Sequence, residues 1–547
     1  MTEATDRPTG TGQLDAVVIG AGFAGLYMVH RLREQGFSVH GFEQGDGVGG
    51  TWYWNRYPGA RCDSEIMYYS YSFLTDVEQE WPLKERYPEQ PEILRYLEHV
   101  ADRLDLRKEF TFGARVNSLE YDEAANLWTL RTEQGDTVTA RYVITAVGCL
   151  STANRPEFPG ADSFGGVSLH TGQWPTEPVD FTGKRVGIIG TGASGIQAIP
   201  VIAQTAGHLT VFQRTAQFTI PAENGPLDQQ MVELWRKNYP EWRRRGRESQ
   251  GGIPYVPSTV SALEVSPEER VAAFEAGWGA GGFIFAAGIF GDVMSNEEAN
   301  KTAADFVRAK IDATVHDPKV AEMLKPWGYP LGSKRLPLDT NYYETFNRPN
   351  VTLVDLKRTP IEEITPAGIR TSDGHHDLDM IIYATGFDAL TGPLQALGIR
   401  GRSGQPLDAA WEAGPRTYLG LSVPGFPNLF TITGPGSPSV LSNMPVSIEQ
   451  HVEWISDCLA WLRERDLDGI EATEPATAAW TQHVQDVAAM TLFPKAASWY
   501  MGANIPGKPR LFLPYVGGVG NYRHKCAEIA ANGYEGFVLT STYAVQA

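Results

Sequence analysis

Leu14-Asp15-Ala16-Val17-Val18-Ile19-Gly20-Ala21-Gly22-Phe23-Ala24-Gly25 is the stretch on which the fold turns. A largely apolar run of strand length enters a GxGxxG turn, and the pattern that follows predicts a helix over 26–35. A second strand, Ser38-Val39-His40-Gly41-Phe42, then ends at Glu43, 18 residues after Gly25. Each part has a chemical reason. Gly20 permits the tight turn, Gly22 lets the backbone approach a pyrophosphate, and Gly25 lets helix and strand pack closely. The helix start offers free N–H groups and the positive end of its dipole, while Glu43 can accept hydrogen bonds from an unphosphorylated ribose. The glycine pattern alone is weak; with strand, helix and acid in register it marks a dinucleotide site.

The same grammar recurs downstream. Lys184-Arg185-Val186-Gly187-Ile188-Ile189 leads into Gly190-Thr191-Gly192-Ala193-Ser194-Gly195, followed by a helix over about 196–205 and the strand His208-Leu209-Thr210-Val211-Phe212. That strand ends in Gln213-Arg214-Thr215, so Arg214 stands 19 residues after Gly195, where the first unit carries its glutamate. An acid there would repel a 2′-phosphate, whereas a guanidinium can grip it with two hydrogen bonds. The first unit therefore suits FAD and the second NADPH.

Two buried-strand patterns, Tyr142-Val143-Ile144-Thr145-Ala146-Val147-Gly148 and Leu378-Asp379-Met380-Ile381-Ile382-Tyr383-Ala384-Thr385-Gly386, mark where each nucleotide domain closes and the chain crosses over. From about 225 to 325, Trp, Glu and Arg recur at helical spacing, as in Met231-Val232-Glu233-Leu234-Trp235-Arg236. Beyond about 387 the chain rejoins the first domain, with a helix over 447–465. The expected fold is α/β, with two Rossmann-like dinucleotide-binding domains and a helical insertion. The FAD-binding domain would take residues 1–145 and 387–547, the NADP-binding domain 146–224 and 326–386, and the insertion 225–325.

Composition narrows the partners. The 547 residues carry 46 Lys and Arg against 65 Asp and Glu, a formal charge of −19. An acidic balance of this size disfavours nucleic acid and anionic membranes, which need clustered positive charge. The one short basic cluster, Arg243-Arg244-Arg245-Gly246-Arg247, reads as a solvated helix face. Four scattered cysteines (Cys62, Cys149, Cys458, Cys526) form neither a disulfide framework nor a CxxC pair, so a zinc site and a dithiol centre are not expected. His375-His376 sits in a turn-like stretch without a third ligand nearby and reads as a solvated hairpin turn, so no metal is expected. The N-terminus is polar with no secretory pattern, and the uncharged stretch 276–291 is too short and too glycine-rich for a membrane span. A soluble cytoplasmic monomer is expected.

Two further stretches carry a specific resemblance. Phe164-Gly165-Gly166-Val167-Ser168-Leu169-His170-Thr171-Gly172-Gln173-Trp174-Pro175, flanked by both glycine turns, resembles the FxGxxxHxxxWP fingerprint of type I Baeyer–Villiger monooxygenases. Gly49-Gly50-Thr51-Trp52-Tyr53-Trp54-Asn55-Arg56-Tyr57-Pro58-Gly59-Ala60-Arg61-Cys62-Asp63 is similar to that family's GGxWxxxxYPGxxxD signature. The likeness runs from about 14 to 540 and includes Leu331-Gly332-Ser333-Lys334-Arg335 and Ala497-Ser498-Trp499-Tyr500-Met501-Gly502-Ala503-Asn504. The loop 434–444 resembles the phenylacetone type, and Gly281-Gly282-Phe283-Ile284-Phe285 the cyclohexanone type.

The resemblance implies NADPH- and dioxygen-dependent oxidation of ketones to esters or lactones through a flavin C4a-peroxide. It implies Arg335 as the fixed cation beside the developing negative charge, with Asp63 pairing with it; physically, an arginine stays charged at any working pH. It implies FAD contacts at Gly20, Gly22, Gly25, Glu43, Thr51, Trp52, Tyr53, Trp54, Asp63, Tyr69, Val116 and Met444. For NADP it implies Arg61, Cys62, Asp63, Gly190, Thr191, Gly192, Ala193, Ser194, Gly195, Ile196, Gln197, Arg214, Thr215, Lys334, Arg335 and Trp499. The substrate pocket would draw on Cys149, Leu150, Ser439, Val440 and Leu441, beside Met444. His170 is read as a linker residue that holds domain geometry, not as a general base. Three other classes share parts of this plan. An N- or S-hydroxylating flavin-containing monooxygenase normally lacks the Trp174-Pro175 ending, a disulfide reductase needs a cysteine pair, and a flavoprotein sensor needs no Arg335.

Overall fold

A computed structural model describes residues 13–541; the N-terminal twelve residues, where most of the stretch read for a secretory signal lies, and the last six fall outside it. An eight-stranded sheet runs in the order Ile399–Arg400, Val116–Asp122, Leu127–Thr132, Thr137–Thr145, Leu14–Ile19, Val39–Phe42, Phe110–Thr111, with Leu429–Thr431 also pairing with Thr137–Thr145. A second sheet of five strands, all parallel, runs Val351–Asp355, His208–Gln213, Arg185–Ile189, Met380–Tyr383, Val167–His170. Strands covered on both faces read as continuous apolar runs, and Ala16, Val17, Val18, Val186, Ile188 and Ile382 are fully buried.

Register places the two glycine turns. Ile19 lies between Phe42 and Thr145, so the chain leaves the first sheet flanked by Glu43 and Ala146. Ile189 lies between Phe212 and Tyr383, so the second turn emerges beside Gln213 and Ala384. Each turn opens a helix, Phe23–Glu34 and Ala193–Ile202. A Cβ at Gly25 would stand 1.7 Å from the Gly20 carbonyl oxygen, and one at Gly195 would stand 2.4 Å from that of Gly190. Only glycine lets each helix close down on the strand that feeds it.

Between the sheets the chain crosses twice, and the two crossings lie side by side. Leu390 N–H donates to the Cys149 carbonyl at 2.8 Å, Asp388 N–H to Thr152 at 2.8 Å, and Asn154 N–H to Gly386 at 2.9 Å. The strand and turn expected over 378–386 are the strand Met380–Tyr383 and the turn that leads into this crossing. His375 and His376 lie not in the turn but on the second strand of a hairpin, Gly374–Asp377, where the His376 ring packs edge-on against Phe212.

Helices occupy Gln229–Lys237, Tyr239–Glu248, Pro267–Ala280, Ile284–Ala287, Glu297–Thr314 and Pro318–Leu324. Ser266 and Glu269 cap the third reciprocally, satisfying its first N–H groups. This helical excursion leaves and rejoins the body at one place, where Ile220 pairs with Leu338 and Pro221 with Asp339. The basic cluster on the second helix is not a uniformly solvated face. Residues four apart share a helix face, and that face turns inward: Arg243 is buried, donating to the Glu78 carboxylate at 2.5 Å, Ser70 Oγ at 2.7 Å and the Tyr68 carbonyl at 3.2 Å. Arg247 reaches Ser72 Oγ at 2.5 Å, while Arg244 and Arg245 stay exposed with Glu241 and Glu248.

The long helix expected over 447–465 spans Met444–Arg463 and packs against Phe23–Glu34 through Tyr27, Val452, Ile455 and Leu459 of one core, with Arg31 reaching Asp457 at 3.1 Å. Among the described residues no helix is long and apolar enough to cross a membrane.

Two tests follow from this packing. Gly25→Ala should lower the melting temperature, because overpacking against a backbone oxygen costs about 1–3 kcal/mol, more than the roughly 0.5–1 kcal/mol an alanine gains within a helix; an unchanged thermal melt would refute the constraint. Asp339 accepts from Thr219 Oγ1 at 2.5 Å and Tyr342 N–H at 3.0 Å, and burial raises its pKa from 3.8 to about 6. The folded state therefore holds this proton more tightly, so its contribution is full below pH 3.8 and is lost as pH rises through about 6. Asp339→Asn should flatten that part of the stability–pH curve in chemical unfolding, and a curve of unaltered slope would count against it.

Candidate functional site

The first glycine turn builds a cradle. No side chain caps the Phe23–Glu34 helix, so its first N–H groups stay open to a ligand. Gly50 stands opposite Gly22, where a Cβ would meet the Gly22 Cα at 2.9 Å, leaving bare backbone on both sides of the slot. Glu43 is buried at the end of its strand, accepting from Ala21 N–H at 2.7 Å and Gly45 N–H at 2.8 Å. Burial pushes its carboxyl pKa up, with those N–H groups and the Trp54 side chain pulling the other way. Open N–H groups beside a buried carboxylate make a donor set that fits a dinucleotide: pyrophosphate at the helix start, ribose hydroxyls at the acid.

The aromatic residues of the 51–69 segment line up beside this cradle. Trp52 Nε1 donates to the Tyr69 hydroxyl at 3.2 Å, and Tyr69 meets Phe23 edge-on at 5.4 Å. The Tyr53 ring lies against Gly45 and Gly47, its hydroxyl accepting from Asp46 N–H at 3.2 Å. Thr51 is exposed at the start of the short helix Thr51–Trp54, Val116 is buried in the core under Phe42, and Met444 is half-buried at the start of the long helix.

The second turn has the same backbone and different chemistry. The Ala193–Ile202 helix is likewise uncapped by any side chain, and a Cβ at Gly192 would meet nothing within 4 Å, so the turn faces open space. Ala193, Ser194 and Ile196 occupy the helix's first turn, and Thr191 Oγ1 donates to the Thr215 carbonyl at 3.1 Å. Arg214 is exposed, and Lys334 rests its ammonium 4.4 Å from the Tyr329 ring centre. Burial, then the charges of Arg214 and Lys357, lower the Lys334 pKa. Among the described residues, Arg214, Lys334 and Lys357 form no ion pair, so three neighbouring cations share no carboxylate. That is the electrostatics of an anion site. Sequence reading missed Lys357; strand pairing brings it there, since Leu356 N–H donates to the Gln213 carbonyl at 2.8 Å.

Segment 57–63 joins the two halves. Gln197 accepts from the Tyr57 hydroxyl at 2.7 Å and donates to the Arg61 carbonyl at 3.1 Å. At Gly59, φ +81°, a Cβ would stand 2.4 Å from the Gln197 carbonyl oxygen. The Arg61 guanidinium itself is held by Glu89 at 2.9 Å and the Tyr87 carbonyl at 3.0 Å. The Cys62 thiol is buried, and burial with the adjacent Asp63 charge raises its pKa, so it is no ready thiolate.

Asp63 and Arg335 meet at the end of that segment in an ion pair. Arg335 Nη1 also donates to the Val440 carbonyl at 3.1 Å, and its guanidinium lies 5.4 Å from the Phe283 ring centre. Burial opposes its charge, but Asp63 and a hydrogen bond with Tyr500 outweigh that and raise its pKa. Cys149, Val440 and Tyr500 share one small apolar cluster with Leu150, Leu441, Met444 and Trp499 packed against it. Ser439 Oγ reaches Cys149 Sγ at 3.5 Å. The Trp499 and Tyr500 ring centres lie 4.2 Å apart. Phe283 and Tyr500 were not singled out from sequence, although both fall inside stretches that carried the resemblance.

His170 is buried, with Nδ1 accepting from Gly172 N–H at 2.9 Å, Nε2 near the Asn154 carbonyl at 3.3 Å and Phe387 edge-on beside it. Through Asn154 and Thr385 Oγ1, 3.4 Å from Nε2, it touches both crossings. Nearby, Trp174 N–H donates to the Trp54 carbonyl at 3.2 Å, tying the linker to the first cradle. Among the described residues no group of three or more His, Cys, Asp or Glu could hold a metal ion.

Comparison with known proteins adds to this geometry. Residues 17–226 match the family model described as pyridine nucleotide-disulphide oxidoreductase. The chain is 47% identical to a Baeyer–Villiger monooxygenase of Pseudooceanicola batsensis over 96% of each chain. Of the solved structures, it is similar to an oxidized steroid monooxygenase bound to NADP, at 52% identity and a TM-score of 0.92, covering 97% of this chain and 100% of that one. It is similar as well to a closed cyclohexanone monooxygenase, at 46% identity and a TM-score of 0.95, again covering 97% and 100%. Identity at that level along nearly the whole of both partners leaves one conclusion: this chain belongs to the Baeyer–Villiger monooxygenase family.

Proposed function

We propose that this chain oxidises ketones to esters or lactones with FAD, NADPH and dioxygen. The observation that carries the reading is Arg335, paired with Asp63 and opening onto the apolar cluster of Cys149, Val440 and Leu441. Glu43 and the uncapped Phe23–Glu34 helix would hold FAD, with Trp52, Tyr53, Trp54 and Tyr69 alongside. Arg214 and Lys334 would hold the 2′-phosphate of NADPH, and the backbone at 191–197 its pyrophosphate. When bound, FAD would supply the redox and oxygen-activating chemistry, with NADPH as the reductant and water taking the second oxygen atom.

The protein's own part is electrostatic. As oxygen insertion proceeds, negative charge develops on the ketone oxygen. A fixed guanidinium there stabilises it without reorganising, and most strongly where water is excluded. Asp63 keeps Arg335 aimed, and the apolar wall of Val440, Leu441 and Cys149 excludes water and seats a hydrophobic ketone. Trp499, half-buried beside Tyr500, would cover the nicotinamide side.

The division into an FAD-binding part (1–145 and 387–547), an NADP-binding part (146–224 and 326–386) and an insertion (225–325) belongs to the same reading. The membership of strands in the two sheets supports it. A cytoplasmic monomer is the setting proposed, in keeping with four free, buried cysteines. The direct test mixes protein, NADPH and a ketone in air and looks for the ester by mass spectrometry. Hydrogen peroxide alone, or no NADPH consumption, would each overturn the reading; so would an amine, added in place of the ketone, being hydroxylated while no ketone is converted.

Arg335→Ala should leave flavin bound and lower ester formation about 10²-fold, the loss expected of a removed charge stabiliser; retention of more than about a tenth of the rate would remove Arg335 from this role. Arg214→Ala should weaken NADPH about tenfold to a hundredfold, the worth of one charge-assisted phosphate contact, while leaving NADH nearly untouched. Equal losses for both coenzymes, measured by steady-state KM, would show that Arg214 does not read the 2′-phosphate.

A further inference from the structure

The wall beside Arg335 is built on strained backbone. Thr433, at φ +57°, and Ser439, at φ +37°, are both buried and both in the left-handed region that side chains other than glycine's rarely occupy. Residues held there persist only where the surroundings over-determine them. For Thr433 the surroundings are specific. Its N–H donates to His451 Nδ1 at 2.9 Å, its carbonyl accepts from Ser439 Oγ at 3.4 Å, and its own hydroxyl donates to the Ile432 carbonyl at 2.7 Å. Ser439 Oγ also touches Cys149 Sγ, and the next residue, Val440, presents its carbonyl to Arg335 Nη1 at 3.1 Å. A continuous path therefore runs from a histidine on the long Met444–Arg463 helix to the guanidinium.

His451 is fully buried, its ring 5.5 Å from that of Tyr522. Its Nε2 makes no hydrogen bond among the described residues, so the one protein contact that needs an imidazole rather than an apolar side chain is the Thr433 N–H at Nδ1. Burial, with the Arg523 charge adding to it, lowers the ring's pKa to about 3, which keeps Nδ1 an acceptor.

We propose that His451 is a positioning residue for the oxygenation step, holding the turn at Thr433 and Ser439 so that the Val440 carbonyl fixes the Arg335 guanidinium. The proposal rests on the ketone-oxidising function above. Three variants test it: His451→Leu, which fills the space without an acceptor; His451→Gln, whose amide oxygen can accept the Thr433 N–H; and Ser439→Ala, which removes the next contact along the path. Flavin content, NADPH affinity, ketone kcat and KM separately, and ester formed per NADPH consumed are measured for each.

His451→Leu should keep flavin and NADPH affinity, yet lose about tenfold in kcat/KM for the ketone and form less ester per NADPH; a misplacement of about 1 Å can cost up to about 10²-fold. His451→Gln should recover most of both, and Ser439→Ala should shift both in the direction of His451→Leu. Wild-type coupling and KM in His451→Leu, or a His451→Gln variant as impaired as His451→Leu, would overturn the proposal. Should His451→Leu fail to fold, unchanged coupling in Ser439→Ala overturns it instead. No ester from the wild type would overturn the function itself; normal wild-type ester with unaffected variants removes only the role of His451.

Discussion

A guanidinium drawn partly out of water needs a fixed counter-charge, and around Arg335 much of the chain is arranged to supply one. Its partner Asp63 lies 272 residues away in sequence. To bring them together, segment 57–63 must dock against the helix Ala193–Ile202 of the other half. It does so with Tyr57 and the Arg61 carbonyl on Gln197, and with Gly59 flush against that helix's backbone. One of the contacts that join the halves and the ion pair at Arg335 are thus made by one short run of residues. A change at Gly59 would therefore reach Asp63 without touching it.

The two nucleotide cradles show how little side-chain chemistry separates them. Both use a glycine turn, an uncapped helix and close packing at the third glycine. The difference comes one strand later. A buried carboxylate, Glu43, ends one strand, and exposed Arg214 follows the other with Lys334 and Lys357 close by. Backbone N–H groups hold any pyrophosphate; the residue at the end of the second strand selects which ribose is welcome.

Much of this was legible in the sequence because it is local. The strand Leu14–Ile19 has the bounds its apolar run predicts, whereas both helices begin three residues earlier than expected, at Phe23 and Ala193, because each starts inside its glycine turn. The helix starting at Met444 carried its own signal in Asn443-Met444-Pro445, a proline in the first turn, which hydrophobic periodicity passed over. What could not be read is convergence. Arg243 looked like a solvated charge because its partner Glu78 lies 165 residues away. Tyr500 and Phe283 looked like two aromatics among many until the fold set both beside one guanidinium. Lys357 needed the strand order, which no single stretch encodes.

The helical excursion that carries Phe283 departs and returns at adjoining backbone, Ile220 and Pro221 beside Leu338 and Asp339. Between those ends it is pinned again, by Arg243 on Glu78, Ser70 and Tyr68 and by Arg247 on Ser72. Closing a flexible loop between fixed ends becomes only about 0.6 kcal/mol harder each time its length doubles, so a change of length costs least in the connections between its helices. Arg335 lies near the returning end of the same excursion, three residues before Leu338, while Asp63 and Val440, which hold its guanidinium, lie outside it. Such a change of length would leave both partners of the guanidinium where they are and act on it through the neighbouring ring of Phe283.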